Sequence, residues 1–394
     1  MKTLAILGRQ PALGIAELES LFGADKIQPL QGSGVLIDIP ASEIPFARLG
    51  GVVKLGGILT TLETNDWFEI EDYLIEACEK HSIHVPEGKL TIGMSVYGLK
   101  VTPNMLERTM LSIKKEVKAT GRPVRIVPNK TSEISTPQII HNKLTHENGW
   151  ELVLYKKGSQ TILMRTNYVQ DIESYTARDQ ARPMRDARVG MLPPKLAQIV
   201  INLASATTPL SNETVVLDPF CGTGVILQEA MLMGSNGYGT DLEPRMIEYS
   251  TTNMRWLASM SEKVASLKSK IVAGDATHIK WEQPITTVAC EGYLGMPFGM
   301  EPPDKQLQDS IRHCDNTARG FLKNLGNQVK PGFRACIALP AWHIKNHVKH
   351  LPCLDVLAQF GWQRVVFTHA ENKDLIYHRD DQVVGRELVV LVKK

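Results

Sequence analysis

Apolar positions fall into two regimes along the chain. Before about residue 170, short apolar runs alternate with amphipathic stretches. TLAILG (3–8) and GVLIDI (34–39) have the texture of strands, and PALGIAELESLFG (11–23) between them repeats apolar residues at helical spacing and stops at Gly23. NDWFEIEDYLIEACEKHSI (65–83) predicts an amphipathic helix capped by Asn65 or Asp66. KLTIGMSVYGL (89–99) reads as a strand, NMLERTMLSIKKEVKATG (104–121) as a helix stopped by Gly121, and PVRIVPN (123–129) as a strand. WELVLYKKGSQTILMRTNYV (150–169) predicts a hairpin turning at 157–159.

After residue 171 an Arg-rich irregular stretch leads to a helix opened by Pro193 and Pro194. Strands then alternate with helices: TVVLDPF, a helix after CGTG, GYGTD, a helix from Glu243, KIVAGDA, TTVACEGY, a helix around DNTARGFLKNLGNQV, and FRACIALP. QRVVFTHA and ELVVLVKK close the chain as an antiparallel pair. Buried strands alternating with helices predict a doubly wound α/β sheet carrying that hairpin at its end.

The length of 394 residues suits two or three domains, and 43% hydrophobic with 22% charged residues is a globular balance. No apolar run reaches the roughly 20 residues of a bilayer span, and the N-terminus reads as a strand rather than a signal peptide. Six scattered cysteines without metal-ligand spacing predict reduced cytosolic thiols and no metal. The net charge of +2 is unevenly spread. Lys100, Arg108, Lys114, Lys115, Lys118, Arg122, Arg125 and Lys130 face only Glu107 and Glu116 within 100–130. A second cluster holds Arg178, Arg182, Arg185 and Arg188. Solvated helix faces explain either cluster alone; two of them ahead of a nucleotide-type fold suggest a polyanionic partner. Arg108, Lys114, Lys115, Lys118, Arg122, Arg125, Arg182 and Arg185 are the candidate contacts to such a polyanion.

The sharpest local pattern is LDPFCGTG at 217–224. A buried strand ends at Asp218, and Gly222 and Gly224 permit close backbone approach at the sheet's carboxyl edge. Val225, Ile226 and Leu227 follow where a dinucleotide fingerprint needs its third glycine, and an acid before the turn suits a cationic amino group such as the methionine moiety of S-adenosylmethionine. Asp241 ends the next strand with the spacing of a ribose-binding acid. Asp275 ends the third, where a carboxylate accepts an adenine amino group. Each acid alone has a capping role as its plain alternative; three on successive strand ends point to one cofactor, with Phe220, Thr223, Leu242 and Ala276 beside them.

YTARDQARPMRDARVGMLPPKLAQIVINLA (175–204), DPFCGTG and YHRDDQVVGRELVVL (377–391) resemble the THUMP-domain RNA methyltransferases, especially the tRNA guanine-N2 methyltransferases. The resemblance implies a Rossmann-like class I methyltransferase domain at 171–394, preceded by a ferredoxin-like domain at 1–55 and a THUMP RNA-binding domain at 56–170. It also implies S-adenosyl-L-methionine as cofactor, tRNA or another structured RNA as partner, a cytoplasmic setting without membrane, and, as in some relatives, a small activating protein subunit. The family's fourth-strand motif is D/N-P-P-Y, and here Glu291-Gly292-Tyr293-Leu294-Gly295 stands in its place. Glu291 is the candidate acceptor for an amine proton and Tyr293 the ring that stacks on an extruded base; both prolines are absent. A catalytically silent cofactor- and tRNA-binding protein and a DNA amino-methyltransferase are the competing readings. Cys290 as a covalent nucleophile lacks its usual Pro-Cys pair. His343 and His347, four apart on an expected helix, lack a third ligand for a metal.

Overall fold

Except for residues 187–190, 283, 346, 380 and 381, the computed structural model describes the whole chain, and it divides into two units. The first comprises Met1–Pro11, Asp25–Ala47 and Val52–Glu173, and the second comprises Ala12–Ala24, Arg48–Gly51 and Ser174–Lys394. Helix α1 (Pro11–Phe22) lies almost wholly in the second unit, although β1 (Thr3–Leu7) before it belongs to the first.

One eight-stranded sheet forms the first unit, and it runs through both stretches expected as separate domains. Its order is β2 (Ile27–Pro29), β3 (Gly34–Ile37), β1, β4 (Val52–Leu62), β8 (Gln160–Val169), β7 (Gly149–Lys157), β5 (Leu90–Tyr97), β6 (Val124–Ile126). Helices α2 (Trp67–Ser82) and α3 (Pro103–Ala119) cover β5 with their helix-periodic apolar faces. Ile70 and Leu74 of α2 and Leu106, Met110, Ile113 and Val117 of α3 pack with Leu90, Ile92 and Met94. Asp66 caps α2 by accepting from Phe68 N at 2.9 Å, and Thr102 caps α3 through Met105 N at 3.3 Å. The short α4 (Thr136–His141) opens with a capping box. β7 and β8 turn on residues 158 and 159, with Lys157 opposite Gln160.

Within this unit lies a buried ion pair, Lys54 Nζ to Glu151 Oε1 at 2.5 Å. Ser95 Oγ donates to the same oxygen at 2.6 Å, Thr166 Oγ1 donates to Oε2 at 2.7 Å, and Lys54 also reaches Ile134 O. Every charge in the pair is thereby hydrogen-bonded, as a dry interior demands.

In the second unit the described strands form a nine-stranded sheet. Along its main path the order is β11 (Ser269–Ala273), β10 (Asn236–Asp241), β9 (Val215–Asp218), β12 (Thr287–Glu291), β13 (Arg334–Ile344), β17 (Val384–Lys393), β15 (Trp362–Arg364). The first five run parallel and β17 runs antiparallel between β13 and β15. After β9 the chain moves outward to β10 and β11, then returns to β12 on the other side of β9. That reversal opens a crevice beyond the carboxyl ends of the strands. α6 (Pro194–Ser205), α7 (Val225–Leu232), α8 (Pro244–Met260), the short α9 (Glu262–Ala265) and α10 (Asp304–Gly326) follow the expected alternation. The stretch expected to be irregular contains α5 (Ile172–Gln180), whose Arg178 pairs with the buried Glu229 of α7 at 2.8 Å.

The carboxyl-terminal part departs from its sequence pattern. The expected strand FRACIALP ended at Pro340, a residue that has no ladder donor. β13 nevertheless runs on to Ile344, because β12 pairs with it only as far as Ala338 and Pro340 has a strand on one side alone. The expected helix bearing His343 and His347 is instead a hairpin of β13 with β14 (His347–Lys349) that turns at Lys345, φ +54°. His343 stacks on His378 with centroids 3.5 Å apart. β16 (Ile376–Tyr377) adds to β17, while of the expected penultimate strand at 363–370 only Gln363 and Arg364 lie in β15, which begins at Trp362. Among the described residues no helix is long and apolar enough to cross a membrane.

Candidate active site

A cavity of about 900 Å³ occupies the crevice beyond β9, β10 and β12. Asp218, Phe220, Gly222, Thr223, Asp241, Leu242, Asp275, Ala276, Glu291 and Tyr293 all line it. Ten residues from four separate sequence stretches thus converge on one space. Gly224 stands behind the wall. Its φ of +86° and the 2.5 Å that would separate a Cβ from Ser250 Oγ require glycine there, where the turn packs against α8.

Asp218 ends β9 only 2% exposed, with Oδ1 accepting from Phe220 N at 3.1 Å. Burial pushes its carboxyl well above the usual carboxylate range, and the neighbouring Asp241 and Glu291 push the same way. A buried acid with so few donors is suited to a cationic ligand. Asp241 accepts from Gly222 N at 2.9 Å and from Glu243 N at 3.0 Å, so it ties the glycine turn to the end of β10. Burial raises its pKa against those donors. Asp275, partly exposed, is pulled down by the hydroxyl and backbone N–H of Thr277, at 2.7 and 2.8 Å. The three acids therefore form a floor, a hinge and a rim.

Glu291 ends β12 and is ion-paired to Arg386 of β17, whose side chain is 8% exposed and also lines the cavity. Burial raises the Glu291 carboxyl and the guanidinium opposes that rise. Tyr293 is 42% exposed, with its ring 5.2 Å from that of His313. Cys290 lies fully buried in the core, where burial drives its thiol well above the ordinary range, and it does not line the cavity. This orientation removes it as a nucleophile.

Three polar side chains to which the sequence reading gave no role hold these parts in place. Asn253 of α8, fully buried, accepts from Met184 N and donates to Met184 O and Thr223 O, each at 2.9 Å. Asn324 of α10 donates to Ala276 O and Ile279 O at 2.9 Å and so shapes the loop carrying Asp275. Arg386 is the third. Asn253 left one trace, a polar residue in the register of the buried Met246, Ser250, Met254 and Leu257.

The basic candidates divide. Arg108, Lys115 and Lys118 lie exposed on α3, Arg125 is exposed on β6, Arg185 is exposed, and Lys114 is half-buried. Arg122 departs from the expectation because its guanidinium is spent on the carbonyls of Ser82, Val85 and Pro86. Arg182 departs further: it is 2% exposed and bonded to Asp179 at 3.0 Å, so it offers no surface charge. Arg188 lies outside the described residues.

Strand order and strand-end chemistry together make this a Rossmann-like methyltransferase fold, preceded by an α+β unit. Similarity to known proteins agrees. The crystal structure of TrmN from Thermus thermophilus superposes over 100% of this chain and 99% of its own, with a TM-score of 0.53 and 18% identity. A tRNA (guanine(10)-N2)-dimethyltransferase of Methanothermobacter thermautotrophicus is 26% identical over 164 residues, 41% of this chain and 43% of the relative. One from Pyrococcus abyssi is 39% identical over 90 residues, 23% of each chain. The chain thus spans less than half the length of the curated relatives it matches. A sequence-family model described as DNA methylase matches residues 115–252, about a third of the chain. That match includes the glycine turn and Asp241 but stops short of Glu291.

Proposed function

We propose that this protein is an S-adenosylmethionine-dependent methyltransferase acting on the N2 amine of a guanosine in tRNA. The observation carrying the proposal is the convergence of Asp218, Asp241, Asp275 and Glu291 on one cavity. The residues fit the cofactor: Asp218 is a buried carboxylate short of donors, and the turn around Gly222 leaves backbone exposed to the cavity. Asp218 would face the amino group, Asp241 the ribose hydroxyls, and Asp275 with Ala276 the adenine. When bound, S-adenosylmethionine supplies a methyl group already activated as a sulfonium.

The chain's own task is to present the amine. A guanine N2 lone pair is delocalised into the ring, so an acceptor must draw one hydrogen and turn the lone pair outward. Glu291 is that acceptor and takes the proton lost as nitrogen gains its methyl. Tyr293, exposed at the cavity wall, stacks on the extruded base. The exposed face of α3 with Arg108, Lys115 and Lys118 grips phosphates, in keeping with a THUMP-type role for 56–170 behind a ferredoxin-like 1–55. Arg125 and the half-buried Lys114 of the same unit add to that charge, and the exposed Arg185 of the second unit is a separate candidate phosphate contact. The cytoplasm is where such a substrate is met, and a small activating protein subunit is a further partner in this reading.

Labelled methyl transfer to unmodified tRNA, followed by mass analysis of nucleosides, tests the proposal, with N2-methylated guanosine as the expected product. Cofactor binding without transfer would favour the silent tRNA-binding reading, and incorporation into duplex DNA in preference to tRNA would favour the DNA-methylase reading. Glu291→Ala should slow transfer roughly 30- to 1,000-fold, about 2–4 kcal/mol of barrier, while cofactor binding persists.

A further inference from the structure

We infer that Arg386 is a positioning residue that holds Glu291 as an oriented carboxylate, doing by an ion pair between strands what a rigid proline pair would otherwise do in the loop after β12. This rests on the amine-methylation reading above. The two residues are 95 positions apart in sequence. β13 lies between their strands, with Ala338 opposite Glu291 on one side and Pro340 opposite Arg386 on the other. Arg386 therefore reaches over β13 beyond the last pairing of β12, and it meets the acid at the cavity wall.

The bond is specific in its atoms. Arg386 Nε donates to Glu291 Oε1. Among the described residues no hydrogen bond reaches Oε2, and the Glu291 side chain keeps 18% exposure, so that oxygen is left to the cavity. Among the described residues, backbone hydrogen bonding just beyond Glu291 reaches Gly292 N, which donates to Ala338 O at 2.9 Å. At Gly295 the chain turns through φ +81°. A loop with Gly292 and Tyr293 after the acid, and no proline, does not itself fix a carboxylate. A guanidinium anchored in a central strand does, because its planar donors restrict the carboxylate plane.

The pair also determines which proton state Glu291 presents. The charged or titratable groups around it are Asp218 from β9, Cys290 on its own strand and Arg386 from β17. Burial favours the protonated acid, and Arg386 favours the ion. A protonated Glu291 would be a donor toward the cavity and could not take the amine's proton. Removing the guanidinium should therefore move the acidic limb of methyl transfer to higher pH.

The test compares Arg386→Met, Arg386→Lys and Glu291→Gln with the parent enzyme, using kcat against pH on unmodified tRNA. Arg386→Met should lower kcat about 10- to 100-fold, shift the acidic limb upward and leave the Kd for S-adenosylmethionine within about twofold. Arg386→Lys, which keeps the charge and loses the planar Nε–H, should restore the limb but only part of kcat. In the Glu291→Gln background, Arg386→Met should change kcat little, because its effect runs through the acid; a merely structural role would cost the same in both backgrounds. An unshifted limb, or full additivity of the two substitutions, overturns the inference. Failure of the parent enzyme to methylate tRNA would instead overturn the proposed function. The Glu291 titration followed by carboxyl 13C resonance then still decides the pair: a midpoint unmoved by Arg386→Met rules against it.

Discussion

Asp218 is an acid held where burial disfavours its charge. It is 2% exposed, accepts a backbone bond from Phe220 N at 3.1 Å, and has Asp241 and Glu291 for electrostatic neighbours. Its folded pKa stands above the unfolded value, so the stability it allows is fully present below the unfolded pKa and is lost as pH rises through the folded one. At neutral pH the cofactor-free protein therefore carries a cost that a cationic ligand relieves. Asp218→Asn keeps the shape and the bond from Phe220 while deleting the charge. The penalty for a poorly satisfied buried group is about 1–3 kcal/mol, more for a charged one. A gain near 2 kcal/mol corresponds to about 4–8 °C in Tm for a domain of roughly 150–250 residues. The same substitution should weaken S-adenosylmethionine by about 10- to 150-fold, the loss of a charged hydrogen bond of roughly 1.5–3 kcal/mol. Calorimetric scans from pH 5 to 8, with and without S-adenosylmethionine, read both effects. The Asn variant should melt higher than the parent without ligand at pH 7, gain less from ligand, and lose its advantage toward pH 5. A variant that melts lower at pH 7 and binds the cofactor as tightly as the parent would refute the reasoning.

Three other perturbations separate structural support from direct binding. Asn253→Ala removes three bonds of 2.9 Å between Met184 and the glycine turn, leaving buried backbone groups unpaired. It should cost about 1–3 kcal/mol, with faster amide exchange at 220–226 and a weaker cofactor Kd; unchanged exchange there would detach Asn253 from the turn. Charge reversal at Lys115 and Lys118 should flatten the log–log salt dependence of tRNA binding by roughly 0.7 for each phosphate no longer held, whereas Arg122→Ala should lower Tm and leave that slope alone. The opposite pattern would exchange their roles. Glu151→Ala strands the buried Lys54 and should destabilise by about 3–5 kcal/mol in urea titrations; a loss under about 1 kcal/mol would show that water reaches the lysine.

The cofactor edge was legible in sequence because its chemistry is local. A strand end, a glycine turn and a helix start are contiguous in LDPFCGTG, and Asp241 repeats the strand-end position on the next strand; Asp275, expected to end the third, lies two residues past the end of β11 at Ala273. The same locality explains why α2, α3 and the β7–β8 hairpin were readable, since each has its cap or turn within a few residues of its apolar pattern. What sequence could not show is which charges the fold would consume. The basic run at 100–130 is uniform in composition, yet Arg122 is bonded to three carbonyls while Lys115 and Lys118 stay in solvent. Arg182, close in sequence to the exposed Arg185 of the same cluster, is buried. Position along a turn or strand decides that division, and composition does not record it.

Strand continuity at Pro340 and the Glu291–Arg386 pair share a further cause. Both depend on where β12 stops relative to β13, a register fixed by long-range pairing. Pro340 is tolerated because β12 no longer pairs with β13 there, so the missing donor leaves no gap in the ladder. The altered fourth-strand motif follows the same logic: without its prolines it lacks a local source of rigidity, and the restraint on Glu291 comes from a strand that arrives only 95 residues later. Reading the motif alone therefore undercounts how firmly its acid is held.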